Sequence, residues 1–200
     1  MNAQVVYVLG PSGAGKDSLQ AWLLRHWPGP AALRQARRTI TRAADAGGEA
    51  HEALSPQAFA TARARGEFVL HWEAHGLCYG VRHQEVRGAE AGSVVLVNGS
   101  RAHLDDALQQ FPRLAVLHVT ASPHVLRARL LARQRETPEQ VEARLQRNLA
   151  LPAVRHPLSL TVTNDGTLDD AGQQALNWLQ ALASPPCPQD TRDTQVHAVP

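Results

Sequence analysis

The chain has 200 residues, 44% hydrophobic and 19% charged, which is enough apolar content for a sizeable core and too much for wholesale disorder. A formal charge of +2 is too small to point to a nucleic-acid coat or a membrane-surface protein, and no apolar run approaches the ~20 residues of a membrane span. Two distant cysteines, Cys78 and Cys187, exclude a disulfide framework, and the first nine residues carry no secretory signature, so a cytoplasmic protein is expected.

Residues 4–9 (QVVYVL) form a short β-branched run stopped by Gly10-Pro11, the pattern of a buried strand. A helix is predicted over 16–26, with Leu19, Leu23 and Leu24 at helical spacing. A weaker strand follows at 36–41. Residues 42–92 then break the alternation. Ser55-Pro56 opens a short helix through 58–65, and segments 67–73 and 77–81 flank a His75-Gly76 turn as a hairpin, together reading as a substrate-holding insert. Strand 93–97, helix 102–110, strand 114–119 and helix 125–135 come next, the last with Ser122-Pro123 as N-cap and first-turn proline. Thr137-Pro138-Glu139-Gln140 has capping-box spacing and opens another helix. A strand at 158–163 precedes Thr167-Leu168-Asp169-Asp170 and a final helix bearing Leu176, Leu179 and Leu182. Residues 184–200 hold four prolines and no apolar period, and are expected to be a disordered tail. Alternating strands and helices predict an α/β fold, a parallel sheet covered on both faces, in one domain over residues 1–183.

The sharpest motif is Gly10-Pro11-Ser12-Gly13-Ala14-Gly15-Lys16-Asp17-Ser18, a G-x4-G-K loop between a buried strand and a helix. Such a loop turns backbone N–H groups and a helix N-terminus toward phosphate oxygens, and its lysine reaches the outer phosphates. Of the 20 basic residues 19 are arginine, and Lys16 is the only lysine. The Ser or Thr that usually follows this lysine and contacts Mg²⁺ is replaced by Asp17, with Ser18 one position later. Asp17 is then either a magnesium ligand or an anion stabilising the helix N-terminus.

With GPSGAGK (10–16) stand TITR (39–42), Tyr79-Gly80 after a hairpin turn, RQRET (133–137) and TND (163–165). In this order the segments resemble the guanylate kinase family. That resemblance implies a P-loop kinase with a five-stranded parallel sheet, a substrate-binding insert at about 42–92 and an arginine-bearing lid at about 127–147. Guanylate kinases carry a second arginine three positions after the first, where Asp45 stands here. The carboxylate they place before the hairpin is missing, Leu70 and His71 occupying that region, and the one after the central strand is replaced by Asn98. Guanine presents N–H donors and asks for such acceptors, so this chain is a poor guanine binder.

The altered set is more similar to the ribose 1,5-bisphosphate phosphokinases of phosphonate breakdown, a guanylate-kinase-like family. The shared segments are the GKDS ending at Ser18, the stretch 40–55, the hairpin at 76–81 and LVNGSRAHL at 96–104. The resemblance implies transfer of the ATP γ-phosphoryl group to the 1-phosphate of α-ribose 1,5-bisphosphate, with ATP and Mg²⁺. It implies that Lys16, Arg42, Arg133 and Arg144 carry the chemistry, with Arg129, Arg135 and Arg147 as weaker candidates. Tyr79, Asn98, Ser100 and Arg101 would meet the substrate, Asn164 would lie near the adenine, and His51 and Glu52 are candidates for the ribose hydroxyls. Two other readings stay open: a divergent nucleoside monophosphate kinase, and a non-catalytic binding module. His71 and His75 lack a third ligand and metal-site context. No nucleic-acid or membrane partner is expected, and the sequence does not choose between a monomer and a homodimer.

Overall fold

Strand β1 (Gln4–Leu9) lies at the centre of a five-stranded parallel sheet in the computed structural model, which describes residues 4–28, 32–44, 49–87, 93–134, 137–149 and 154–183. Its neighbours are β7 (Val94–Asn98) and β8 (Ala115–Thr120), with β2 (Leu33–Gln35) and β9 (Ser159–Thr163) at the edges, giving the order β2-β7-β1-β8-β9. The three central strands read as continuous apolar runs because both of their faces are covered. Val6, Val8, Leu96 and Leu117 face a layer containing Leu19, Leu23 and Leu179, from helices α1 (Lys16–His26) and α7 (Leu168–Ala183). Val5, Tyr7, Leu9, Val95 and Val97 face the opposite way, onto Leu70, Trp72 and Ala107. The period-2 alternation along β1 therefore divides one core into two. Trp22 of α1 ties the first layer together, its indole against Gly172 and its Nε1 donating to Asp169 at 2.6 Å.

The structure places the edge strand of this sheet elsewhere than predicted. Residues 33–35, not the 36–41 run, pair with β7, while β3 (Arg38–Ile40) turns away into a second sheet. Leu-Arg-Gln has no alternation to read, because an edge strand with one neighbour buries neither face fully. The second sheet has the order β4-β3-β6-β5, with β4 (Glu52–Ala53), β5 (Phe68–Ala74) and β6 (Leu77–Arg82). The β5–β6 hairpin turns at His75-Gly76 as expected, and α2 (Pro56–Ala64) opens with Ser55 Oγ accepting from the Ala58 N–H at 3.1 Å. A short helix α3 (His83–Val86) follows β6. Arg82 closes this insert, donating Nε and Nη2 to Glu52 at 2.7 and 2.9 Å and Nη1 to Glu67. That fork holds the Glu52 carboxyl below its usual range and raises Arg82 further. With Thr39 also donating to it at 2.7 Å, Glu52 has three donors within the insert.

A 3₁₀ turn at residues 101–103 leads into α4 (Leu104–Gln110), where one helix over 102–110 was predicted. Helices α5 (Pro123–Ala132) and α6 (Pro138–Leu149) form the predicted lid region. At Thr137 the capping box forms in both directions, the Thr137 N–H donating to Gln140 Oε1 at 2.9 Å and the Gln140 N–H to Thr137 Oγ1 at 3.3 Å. Ser122 holds the N-cap position of α5 but makes no side-chain cap. Its hydroxyl meets His124, and its N–H donates to Asp165 Oδ1 at 2.7 Å. The predicted tail at 184–200, Asp45 and Arg135 lie outside the described residues. No described helix is long and apolar enough to cross a membrane.

Candidate active site

At its carboxyl end β1 leads directly into the phosphate loop, which delivers the chain to α1. Gly15 takes the left-handed conformation (φ 89°), and a Cβ there would strike the Asn164 amide. Asn164 is buried just after β9 and donates Nδ2 to Ala14 O at 2.9 Å, so the loop is held from the end of the edge strand. Lys16 folds back over the loop, donating Nζ to Gly10 O at 2.8 Å and Pro11 O at 3.2 Å. Burial lowers its pKa to about 8; Asp17 opposes the shift, and Arg38 and Arg133 add to it. An ammonium desolvated among other cations is poised to accept a polyanion as its counter-charge.

Facing the loop is a cavity of about 370 Å³, walled by residues of the loop, the second sheet, the turn after β7 and helix α6. Among the described residues five cations line it, Lys16, Arg38, Arg101, Arg144 and Arg147, and no carboxylate does. Trp72 and Tyr79 form one wall, stacked at 5.5 Å with ring planes 6° apart. Arg38 lies over Tyr79 at 4.9 Å and donates Nε to Glu49 Oε1 at 2.7 Å, with Nη2 on the same carboxylate. Arg101 donates to His118 Nε2 at 2.7 Å. Burial, then the charges of Arg101 and Lys16, lower the His118 pKa to about 4, so its imidazole is neutral and accepts with the ring proton on Nδ1. The turn carrying Ser100 is fixed by Tyr7, whose hydroxyl accepts from the Ser100 N–H at 3.0 Å and donates to Ser100 O at 3.2 Å. Burial raises that phenol to about 12, and Gly99 lies where a Cβ would enter the Tyr7 ring.

Helices α5 and α6 reach the loop through arginines. Arg144 on α6 donates Nη1 to Ser12 Oγ at 3.0 Å, and Arg129 on α5 donates to Gly13 O at 3.4 Å. Arg133 caps α5 in an exposed position from which its charge is felt at Lys16. Arg127 instead pairs with Glu142 across the two helices at 3.5 Å.

No family model matches the chain. Among curated proteins it is 46% identical over 181 residues to ribose 1,5-bisphosphate phosphokinase PhnN of Burkholderia mallei, covering 90% of this chain and 97% of that one. The proteins of the same name from Chromobacterium violaceum and Pseudomonas paraeruginosa are 47% and 43% identical, covering 87% and 90% of this chain and 92% and 96% of theirs. This chain belongs to the ribose 1,5-bisphosphate phosphokinase family. It is a kinase with a guanylate-kinase-like fold. Among solved structures, guanylate kinase from Anaplasma phagocytophilum superposes with a TM-score of 0.60 at 16% identity, covering 93% of this chain and 88% of that one. A sugar kinase from Janibacter gives a TM-score of 0.51 at 22% identity, covering 92% and 99%.

In this family member the structure gathers Lys16, Arg144, Tyr79, Ser100 and Arg101 around one cavity, as the sequence suggested. Arg133 and Arg129 are not among its lining residues, and neither are Asn98, Arg42 and Asn164. Asn98 is buried beneath it, donating Nδ2 to Glu49 Oε2 at 2.9 Å and Asp17 Oδ1 at 3.2 Å while accepting from Gln20 at 2.9 Å. Arg42 donates to His51 Nδ1 at 3.3 Å and keeps a buried Nε without a partner, while His51 Nε2 returns a bond to Arg42 O at 3.1 Å. Asn164 is engaged under the loop. Asp17 and Ser18 are exposed at the start of α1. A carboxylate and a hydroxyl are hard oxygen donors of the kind Mg²⁺ accepts beside its waters, so these residues fit the ion. His71 and His75 are both exposed, and no cluster of three potential ligands occurs among the described residues. Sequence reasoning missed Arg38, Glu49, Trp72 and His118. Arg38 and Glu49 do flank TITR at positions 38 and 49, the one signal available.

Proposed function

We propose that the chain transfers the γ-phosphoryl group of ATP to the 1-phosphate of α-D-ribose 1,5-bisphosphate, yielding ADP and 5-phosphoribosyl 1-diphosphate, in the cytoplasmic breakdown of phosphonates. The observation that carries this reading is a cavity facing the phosphate loop that is walled, among the described residues, by five cations and no carboxylate. Guanine would need acceptors for its N–H groups. The nearby Glu49 has one oxygen on Arg38 and the other on Asn98. A bisphosphate, by contrast, finds a cation wherever it turns.

In this reading an ionised oxygen of the 1-phosphate attacks the γ-phosphorus as the bond to the β-bridging oxygen breaks. The attacking oxygen carries no proton, so no general base is required, and catalysis rests on positioning and charge. The loop N–H groups and Lys16 hold the ATP phosphates, and Lys16 with Arg133 and Arg144 offsets charge on the transferring group. Arg42, whose buried Nε lacks an acceptor, holds an acceptor phosphate. Tyr79, Ser100 and Arg101 line the acceptor's path, and Asn98 and Asn164 keep the site in shape. Asp17 and Ser18 would hold Mg²⁺, which supplies charge neutralisation on the polyphosphate when bound. We read residues 1–183 as one catalytic unit, with the insert at about 42–92 and the lid at about 127–147.

The test is a coupled assay of purified protein with ATP, Mg²⁺ and either ribose 1,5-bisphosphate or GMP. Turnover of the sugar bisphosphate is expected. Robust turnover of GMP with none of the sugar would overturn the assignment.

A further inference from the structure

Arg38 is set apart from the other cations of the cavity by how completely it is held. It leaves β3 at the first residue of that strand, and its side chain is 16% exposed. One face of its guanidinium lies over Tyr79 and reaches Trp72 at 5.8 Å. Nε and Nη2 are on the Glu49 carboxylate, itself 9% exposed, and Nη1 is 3.5 Å from Asn98 O. Guanidinium carries five N–H donors in a fixed fork. Glu49 therefore occupies one edge and leaves N–H groups on the other for the cavity that Arg38 lines.

Lys16 and Arg144 are bonded to the phosphate loop, which holds the transferring group in the proposed reaction. Arg38, Tyr79 and Trp72 line the same cavity from the second sheet. We propose that Arg38 holds the phosphate of the acceptor that does not react, with Glu49 as its positioning residue, and so sets the preference for a sugar bisphosphate over a sugar monophosphate. This rests on the reaction proposed above. Bracing matters because a free arginine would lose much side-chain freedom on binding, whereas one already stacked and paired loses little. An immobile fork also suits two phosphate oxygens at once.

The experiment pairs a protein change with a substrate truncation. Replacing both members of the pair, Arg38→Met with Glu49→Gln, avoids leaving an uncompensated buried charge, and thermal melting confirms that the double variant is folded. Relative to wild type, kcat/KM for ribose 1,5-bisphosphate should fall roughly 10- to 100-fold, as for a lost charge-assisted contact. With ribose 1-phosphate as acceptor the same change should cost at least several-fold less, because the phosphate that Arg38 meets is absent. Glu49→Gln alone should raise KM for the bisphosphate several-fold while leaving kcat in place. In parallel, calorimetric titration with ribose 5-phosphate, without ATP, should show at least tenfold weaker binding to the double variant. An equal fall on both acceptors, or ribose 5-phosphate binding that is the same in both proteins, including its absence from both, would overturn the proposal. If wild type fails to phosphorylate the bisphosphate, the reaction assignment falls, and the ribose 5-phosphate titration still decides the role of Arg38.

Discussion

Replacing Asn98 by Asp changes one heavy atom in a buried side chain that makes three hydrogen bonds. The amide donates to two carboxylates, Glu49 and Asp17, and accepts from Gln20. Asn98→Asp keeps the acceptor and turns both donated bonds into contacts between carboxylates. Asp17 is exposed and can swing into water, so its share is small. Glu49 is 9% exposed and pinned by Arg38, so it cannot. The cost is then one charge-assisted hydrogen bond, about 1.5–3 kcal/mol, plus residual like-charge repulsion, or about 2–4 kcal/mol in all. For a protein of this size that lowers Tm by roughly 5–15 °C. The new carboxyl would have a folded-state pKa above its unfolded value, so its protonated form is the one the fold tolerates. The variant should accordingly be closest to wild type in acid and lose relative stability as pH rises through the folded-state pKa. Melting curves by circular dichroism between pH 5 and 8 check this. A drop below 2 °C at pH 8, or a drop that ignores pH, would refute the network as described.

Two further outcomes follow from the site. With Lys16 lowered to about 8 by burial, a bound polyphosphate should raise it again, so ATP binding should take up protons near pH 8 and weaken above it; without ligand the same shift makes the fold gain stability from this group as pH rises from about 8. Calorimetry in buffers of different protonation enthalpy measures the uptake, and Lys16→Met should abolish it. His118→Leu removes the acceptor that aims Arg101 and should raise KM for the sugar acceptor roughly tenfold, the scale of one such hydrogen bond, with KM for ATP unchanged. His118→Gln, which keeps an acceptor, should recover most of the loss.

Much of the fold could be read in the chain because its central strands are buried on both faces and its helix starts are chemically marked. Residues 4–9 and 137–140 needed no tertiary knowledge to interpret. The edge strand at 33–35 did need it, since pairing with β7, and not side-chain pattern, makes it a strand. The site divides in the same way. Lys16 and its loop are contiguous, so spacing reveals them. Arg38 is one of 19 arginines, and its meaning arises only when Glu49, Tyr79 and Trp72 converge on it from other segments. Asn98 was read as lining a pocket because it stands where a substrate contact was expected, yet it is the last residue of β7 and is buried there. His118 looks like an interior strand residue and is in fact an acceptor for Arg101, a role visible only once residues 101 and 118 are brought together.

The solitary lysine has a practical consequence of a different kind. Within these 200 residues it is the one side-chain amine, and burial leaves a sizeable neutral, nucleophilic fraction of it near pH 8. An amine-selective acylating reagent applied at that pH therefore meets a single side-chain amine, seated in the phosphate loop, alongside any terminal α-amine. The extent of labelling at this one atom reads out occupancy of the nucleotide site by mass alone, without a tag, a fluorophore or an engineered residue.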